Sequence, residues 1–93
     1  MSESQVAERS VKVVNQAGVH ARPAAMIVQL ASQFACEIQI GKDGLNVNAK
    51  SIMGVLLLAA ECGSELRLRA EGPDCTGALD AIVLLVGRGF EES

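Results

Sequence analysis

Four short stretches of this chain alternate apolar and polar residues with a period of two: Arg9 to Val14, Cys36 to Ile40, Leu45 to Ala49, and Glu65 to Glu71. That period puts successive side chains on opposite faces of a strand, one buried and one wet. The last stretch shows it most clearly, with Leu66, Leu68 and Ala70 on one face and Glu65, Arg67, Arg69 and Glu71 on the other. A solvated face on every strand calls for an antiparallel sheet, because parallel sheets are covered on both sides. Gly41-Lys42-Asp43-Gly44, between the second and third stretches, reads as a hairpin connection.

Helical patterns occupy the intervals. Ala24, Ile27, Val28, Ala31 and Phe34 form an i, i+3, i+4 stripe on a helix that starts near Ala21. Leu79, Ile82, Val83 and Val86 form a second stripe near the C-terminus, with Asp74 as N-cap and Gly87 or Gly89 as stop. A third helix spans about Ile52 to Ala60. The resulting order, β-α-β-β-α-β-α, predicts an α+β fold. Its form is a two-layer open-faced β-sandwich, a four-stranded antiparallel sheet with three helices on one face. Ninety-three residues suffice for one core, so a single domain over 9–93 is expected, preceded by a polar N-terminal extension at 1–8. With no Trp or Tyr, and Phe34 and Phe90 as the two aromatics, that core must be aliphatic.

The middle helix is anomalous. Ser51 suits its N-cap and Gly63 its C-terminal cap, yet Ile52, Met53, Val55, Leu56, Leu57 and Leu58 leave it no polar face. At about 100° per residue, Val55, Leu58 and Ala59 share one side and Ile52, Met53 and Leu56 another. If the first group is core, the second is either covered by another element or exposed as a partner-docking patch, a use to which an adaptable methionine is suited.

Charge and composition narrow the classes of function. A formal charge of −3 with interspersed signs offers no footprint for nucleic acid, and stacking aromatics are missing. No apolar run is long enough for membrane insertion, and residues 1–10 lack the apolar core of a signal peptide, so a cytoplasmic location is expected. Cys36, Cys62 and Cys75 are odd in number and widely spaced, which fits reduced thiols; with one histidine there is no metal-site pattern. No cofactor is called for.

That one histidine, His20, stands where a loop turns into the first helix, in Gly18-Val19-His20-Ala21-Arg22-Pro23-Ala24. Backbone N–H groups in the first turn of a helix have no intrahelical partner, and the helix dipole adds positive potential there. An anion beside His20 would meet the backbone amides of that first turn and, on Arg22, a guanidinium whose fork matches a phosphoryl group. Pro23, which has no N–H to satisfy, suits the first helical position. The plain alternative is a surface histidine without chemistry, and a short motif does not decide between them.

Together with Lys50-Ser51-Ile52-Met53-Gly54-Val55, the His20 run closely resembles the two signatures of the HPr family, the histidine-containing phosphocarriers of the bacterial phosphoenolpyruvate-dependent sugar phosphotransferase system. The resemblance extends from the first strand to the last helix. It implies a phosphoryl carrier rather than an independent enzyme. His20 would accept the group at Nδ1 from phosphorylated enzyme I and pass it to an enzyme IIA domain, with Arg22 and the amides of Ala21 and Arg22 steadying it. Ala25, Ile52, Met53 and Leu56 would form the docking surface of a monomer. Ser51 matches the family's regulatory serine, the target of an ATP-dependent HPr kinase/phosphorylase, although an N-cap role alone also accounts for a serine there. A nitrogen-related phosphocarrier, NPr, with a regulatory enzyme IIA is the alternative within the family. A ferredoxin-like small-molecule regulatory module shares most of the element order and would bind a ligand without accepting phosphate. A pure interaction module would use the apolar patch alone.

Overall fold

The computed structural model describes residues 5–91. The strands are β1 (Val6–Lys12), β2 (Glu37–Lys42), β3 (Leu45–Asn48) and β4 (Glu65–Glu71). The helices are α1 (Ala21–Ala31), α2 (Ile52–Leu57) and α3 (Cys75–Gly87), followed by a short 3-10 turn at Gly89–Glu91. The expected β-α-β-β-α-β-α order is present in full. β1 begins at Val6 rather than Arg9, so residues 6–8 of the segment expected as an extension are sheet, and residues 1–4 lie outside the described residues.

All pairing is antiparallel, in the spatial order β1-β4-β2-β3. β4 is central, registered from Val6↔Glu71 to Lys12↔Glu65 on one side and from Glu37↔Glu71 to Gly41↔Arg67 on the other. Leu66, Leu68 and Ala70 are buried, as are Ile38 and Ile40 of β2, whereas Arg67, Arg69 and Gln39 face solvent. α3 packs on β1 and β4, α2 lies against β3, and α1 contacts both other helices. The second layer thus covers one sheet face and leaves the other open.

The hairpin is tighter than the four-residue connection expected. β2 runs on to Lys42, leaving Asp43 (φ 52°) and Gly44 (φ 85°) as a two-residue turn with both φ values positive, the geometry that matches strand twist. α1 stops at Ala31, one turn short of Phe34, which is half-buried beyond the helix. The Lys50 ammonium donates to the Phe34 carbonyl at 2.7 Å and closes that end.

α2 also stops early, at Leu57 instead of Ala60, and Gly63 is not its cap. Ala59 turns the chain with φ 48° just beyond the stop, and the Lys42 ammonium reaches the carbonyls of Leu58 (3.3 Å) and Ala59 (3.4 Å) there. Val55 and Leu58 enter the core as expected, but Ala59 is exposed and Ala60 is buried in its place.

Asp74 precedes α3 without capping it through its side chain. Its carboxylate instead accepts the amides of Ala35 (2.8 Å) and Cys36 (2.9 Å), tying the α1–β2 connection to the start of α3. The Ala35 amide chiefly, then the Cys36 thiol, hold the Asp74 carboxyl below its ordinary 3.8. Burial, reinforced by the bond to Asp74, pushes the Cys36 thiol up to about 11.

Candidate functional site

The loop before α1 is built from an asparagine and a glycine. Asn15 is 2% exposed, and its side-chain amide donates to the Gly18 carbonyl at 2.8 Å, while the Gly18 amide donates to the Asn15 carbonyl at 3.1 Å. Gly18 has φ 71°, and a Cβ there would lie 2.5 Å from the Ala60 carbonyl oxygen, so this position requires glycine. The next amide, Val19, donates to that same Ala60 carbonyl at 2.8 Å. The turn is therefore held both from within and by the segment that follows α2.

His20 follows as the N-cap of α1, with extended backbone (φ −91°, ψ −163°) and its carbonyl accepting from the Ala24 amide at 2.9 Å. Its side chain does not cap the helix, and the residue is exposed. Ala21 and Arg22 take the first two helical positions, where an amide has no carbonyl one turn back to bond. Pro23 is third in the helix rather than first, still inside the turn where a missing N–H leaves no bond unmade, and its ring is buried. Arg22 is exposed, and among the described residues no carboxylate pairs with its guanidinium. The first turn of α1 thus offers an anion two backbone donors, an exposed cation and an imidazole.

α2 presents an apolar outer face. Met53 is 70% and Leu57 68% exposed, and Ile52 and Leu56 are exposed beside them. Leu57 was not among the residues expected in this patch. It joins because it stands one turn after Met53, on the same face of α2. Ala25 is half-buried on α1, the helix against which α2 packs. Ser51 is the N-cap of α2, its Oγ accepting from the Gly54 amide at 3.1 Å. Gly54 lets α2 lie close to the sheet, since a Cβ there would come within 3.2 Å of the Val47 Cβ. Asn15 and Ala60 had no place in the expected site, and Gly18 stood in the His20 run without a role of its own. The sequence signal for Asn15 and Gly18 is the asparagine–glycine turn spacing, whereas nothing local points to Ala60.

The structure is thus an open-faced antiparallel sandwich with an exposed imidazole at the mouth of a helix, beside a second helix with an apolar outer face. The family model described as the PTS HPr component phosphorylation site matches residues 7–88, and the chain belongs to the HPr family of phosphocarriers of the phosphotransferase system. It is 58% identical over 84 residues to the phosphocarrier protein HPr of Treponema pallidum (strain Nichols), covering 90% of this chain and 96% of that protein. It is 41% identical over 85 residues to the HPr of Cupriavidus necator, covering 91% of this chain and 96% of that protein. Among solved structures, HPr-C-His of Thermoanaerobacter tengcongensis is similar with a TM-score of 0.89 and 44% identity, over 94% of this chain and 98% of that one. Membership implies a cytoplasmic phosphoryl carrier, not a catalyst in its own right, working between enzyme I and enzyme IIA domains. It sets aside the ferredoxin-like ligand-binding reading.

Proposed function

We propose that His20 is the residue of this phosphocarrier that takes up and hands on the phosphoryl group. The observation that carries the reading is the N-terminus of α1, where an exposed imidazole not used in capping stands directly before the amides of Ala21 and Arg22. A ring nitrogen of His20 attacks phosphorus in line, the bond from phosphorus to the donor breaks, and the donor leaves with that electron pair. Charge on the moving oxygens is met by the two amides and by the Arg22 guanidinium, which pairs with no carboxylate among the described residues. Transfer onward reverses these steps on the acceptor.

Ile52, Met53, Leu56 and Leu57, with Ala25, form the surface on which donor and acceptor dock in turn. Ser51 lies at the head of that surface, and its phosphorylation by an HPr kinase/phosphorylase is the regulatory part of the proposal. A phosphate there is favoured by the start of α2, so the helix persists, but a dianion beside the patch repels an acidic partner and adds a desolvation cost.

The test is incubation with phosphoenolpyruvate and enzyme I, followed by intact mass measurement. Wild type should gain one acid-labile phosphoryl group and His20→Ala none. Arg22→Ala should fold normally and accept the group more slowly, by on the order of tenfold. No adduct on wild type, or an equal adduct on His20→Ala, ends the assignment.

A further inference from the structure

The imidazole at the start of α1 is held by a turn whose one buried polar side chain is Asn15, and nothing in the carrier chemistry itself requires an asparagine there. Its position is unusual: it is 2% exposed, and its amide nitrogen is spent on the carbonyl of Gly18 at 2.8 Å. That carbonyl also accepts the His20 amide at 3.1 Å, so the Asn15 side chain and the His20 backbone are bonded to the same oxygen. Behind it, Gly89 backs onto Asn15, with a Cβ at Gly89 falling 3.6 Å from the Asn15 Cβ, and Phe90 is fully buried. Ahead of it, the Ala60 carbonyl fixes Val19. A buried amide bond of this kind has a strongly preferred geometry, and its loss leaves the Gly18 carbonyl short of a donor inside the protein.

We infer that Asn15 is a positioning residue for phosphoryl transfer: it fixes the Gly18 carbonyl, and through the shared oxygen sets where the His20 imidazole stands relative to the amides of Ala21 and Arg22. The inference rests on His20 being the acceptor. In-line attack tolerates little misplacement of the nucleophile, so a turn loosened at Gly18 slows the transfer itself and leaves docking on α2 unchanged.

The experiment measures phosphorylation by enzyme I and phosphoenolpyruvate as the concentration of this chain is varied, for wild type, Asn15→Asp, Asn15→Ala and the core variant Ile82→Val. Asn15→Asp keeps the size but replaces the donating amide with an acceptor. Both Asn15 variants should lose about tenfold in kcat with KM within about twofold of wild type. Ile82→Val, a buried change within α3, should leave both constants unchanged despite its lower Tm. Equal kcat in the Asn15 variants, a loss confined to KM, or a kcat loss matched by Ile82→Val overturns the inference. Should both Asn15 variants fail to fold, the wild type decides by NMR: slowly exchanging, well-separated Asn15 amide protons and rigid Gly18, Val19 and His20 amides support it, and an averaged side-chain amide overturns it. A wild type that takes no phosphoryl group defeats the acceptor assignment instead, so the two failures are told apart.

Discussion

The Val19 amide donates to the Ala60 carbonyl across 2.8 Å, joining the turn that carries His20 to the segment that leaves α2. The proposed acceptor and the proposed docking helix are thus linked through backbone.

Gly18 is the residue this link depends on, because its φ of 71° and the 2.5 Å approach to the Ala60 oxygen leave no room for a side chain. Gly18→Ala should destabilise the fold by about 2 kcal/mol or more, from left-handed backbone strain and from the displaced Ala60 carbonyl. Urea unfolding measures the first effect, and loss of amide protection at Val19 reports the second. A midpoint equal to wild type would show that the turn relaxes freely.

Ser51 holds the Gly54 amide at 3.1 Å. Ser51→Ala should therefore cost about 1 kcal/mol by denaturant unfolding, the usual value for a lost N-cap, while His20 still accepts phosphate. If Ser51 is also the regulatory acceptor, an HPr kinase with ATP should give wild type an acid-stable adduct that Ser51→Ala lacks, and that adduct should slow phosphorylation of His20 without changing the circular dichroism spectrum.

Asp74 gives a pH dependence whose sign is fixed by its two amide bonds. Its folded-state pKa is depressed, chiefly by the Ala35 amide. Stability from this group is accordingly present above the unfolded-chain value near 3.9 and is lost as pH falls through the folded value. Asp74→Asn should be less stable than wild type at pH 7, with the gap closing below pH about 4. Thermal melts over that range measure it, and a gap that widens on acidification would contradict the assignment.

The three cysteines should separate cleanly in a thiol titration. Cys36 and Cys75 are buried, and the Cys36 thiol is also pushed up to about 11, so neither sulfur is open to reagent in the folded protein. Cys62 is exposed, with its sulfur 3.8 Å from the Val14 carbonyl. Native protein should react quickly with an aromatic disulfide reagent at one thiol, lost in Cys62→Ser, and all three should react once unfolded.

Much of this architecture is legible without coordinates. Period-two alternation in Glu65 to Glu71 fixes both the strand and its buried face, since each side chain reports its own burial. The stripe through Ala24, Ile27 and Ala31 does the same for α1, and a histidine immediately ahead of that stripe must lie near a helix start, with its unpaired amides. These properties are local, set by backbone geometry over a few residues. What the sequence could not decide was where elements stop and which distant groups complete them. α2 ends at Leu57, and the carbonyls just beyond it, of Leu58 and Ala59, are met by Lys42 from the β2–β3 hairpin. Asp74 looks like a helix cap and acts as a cross-link to Ala35 and Cys36. The His20 turn is held by Ala60, forty residues on. Each of these is a hydrogen bond between groups that only the folded chain brings together, and a carbonyl or an amide carries no sign in the sequence of which partner it will meet.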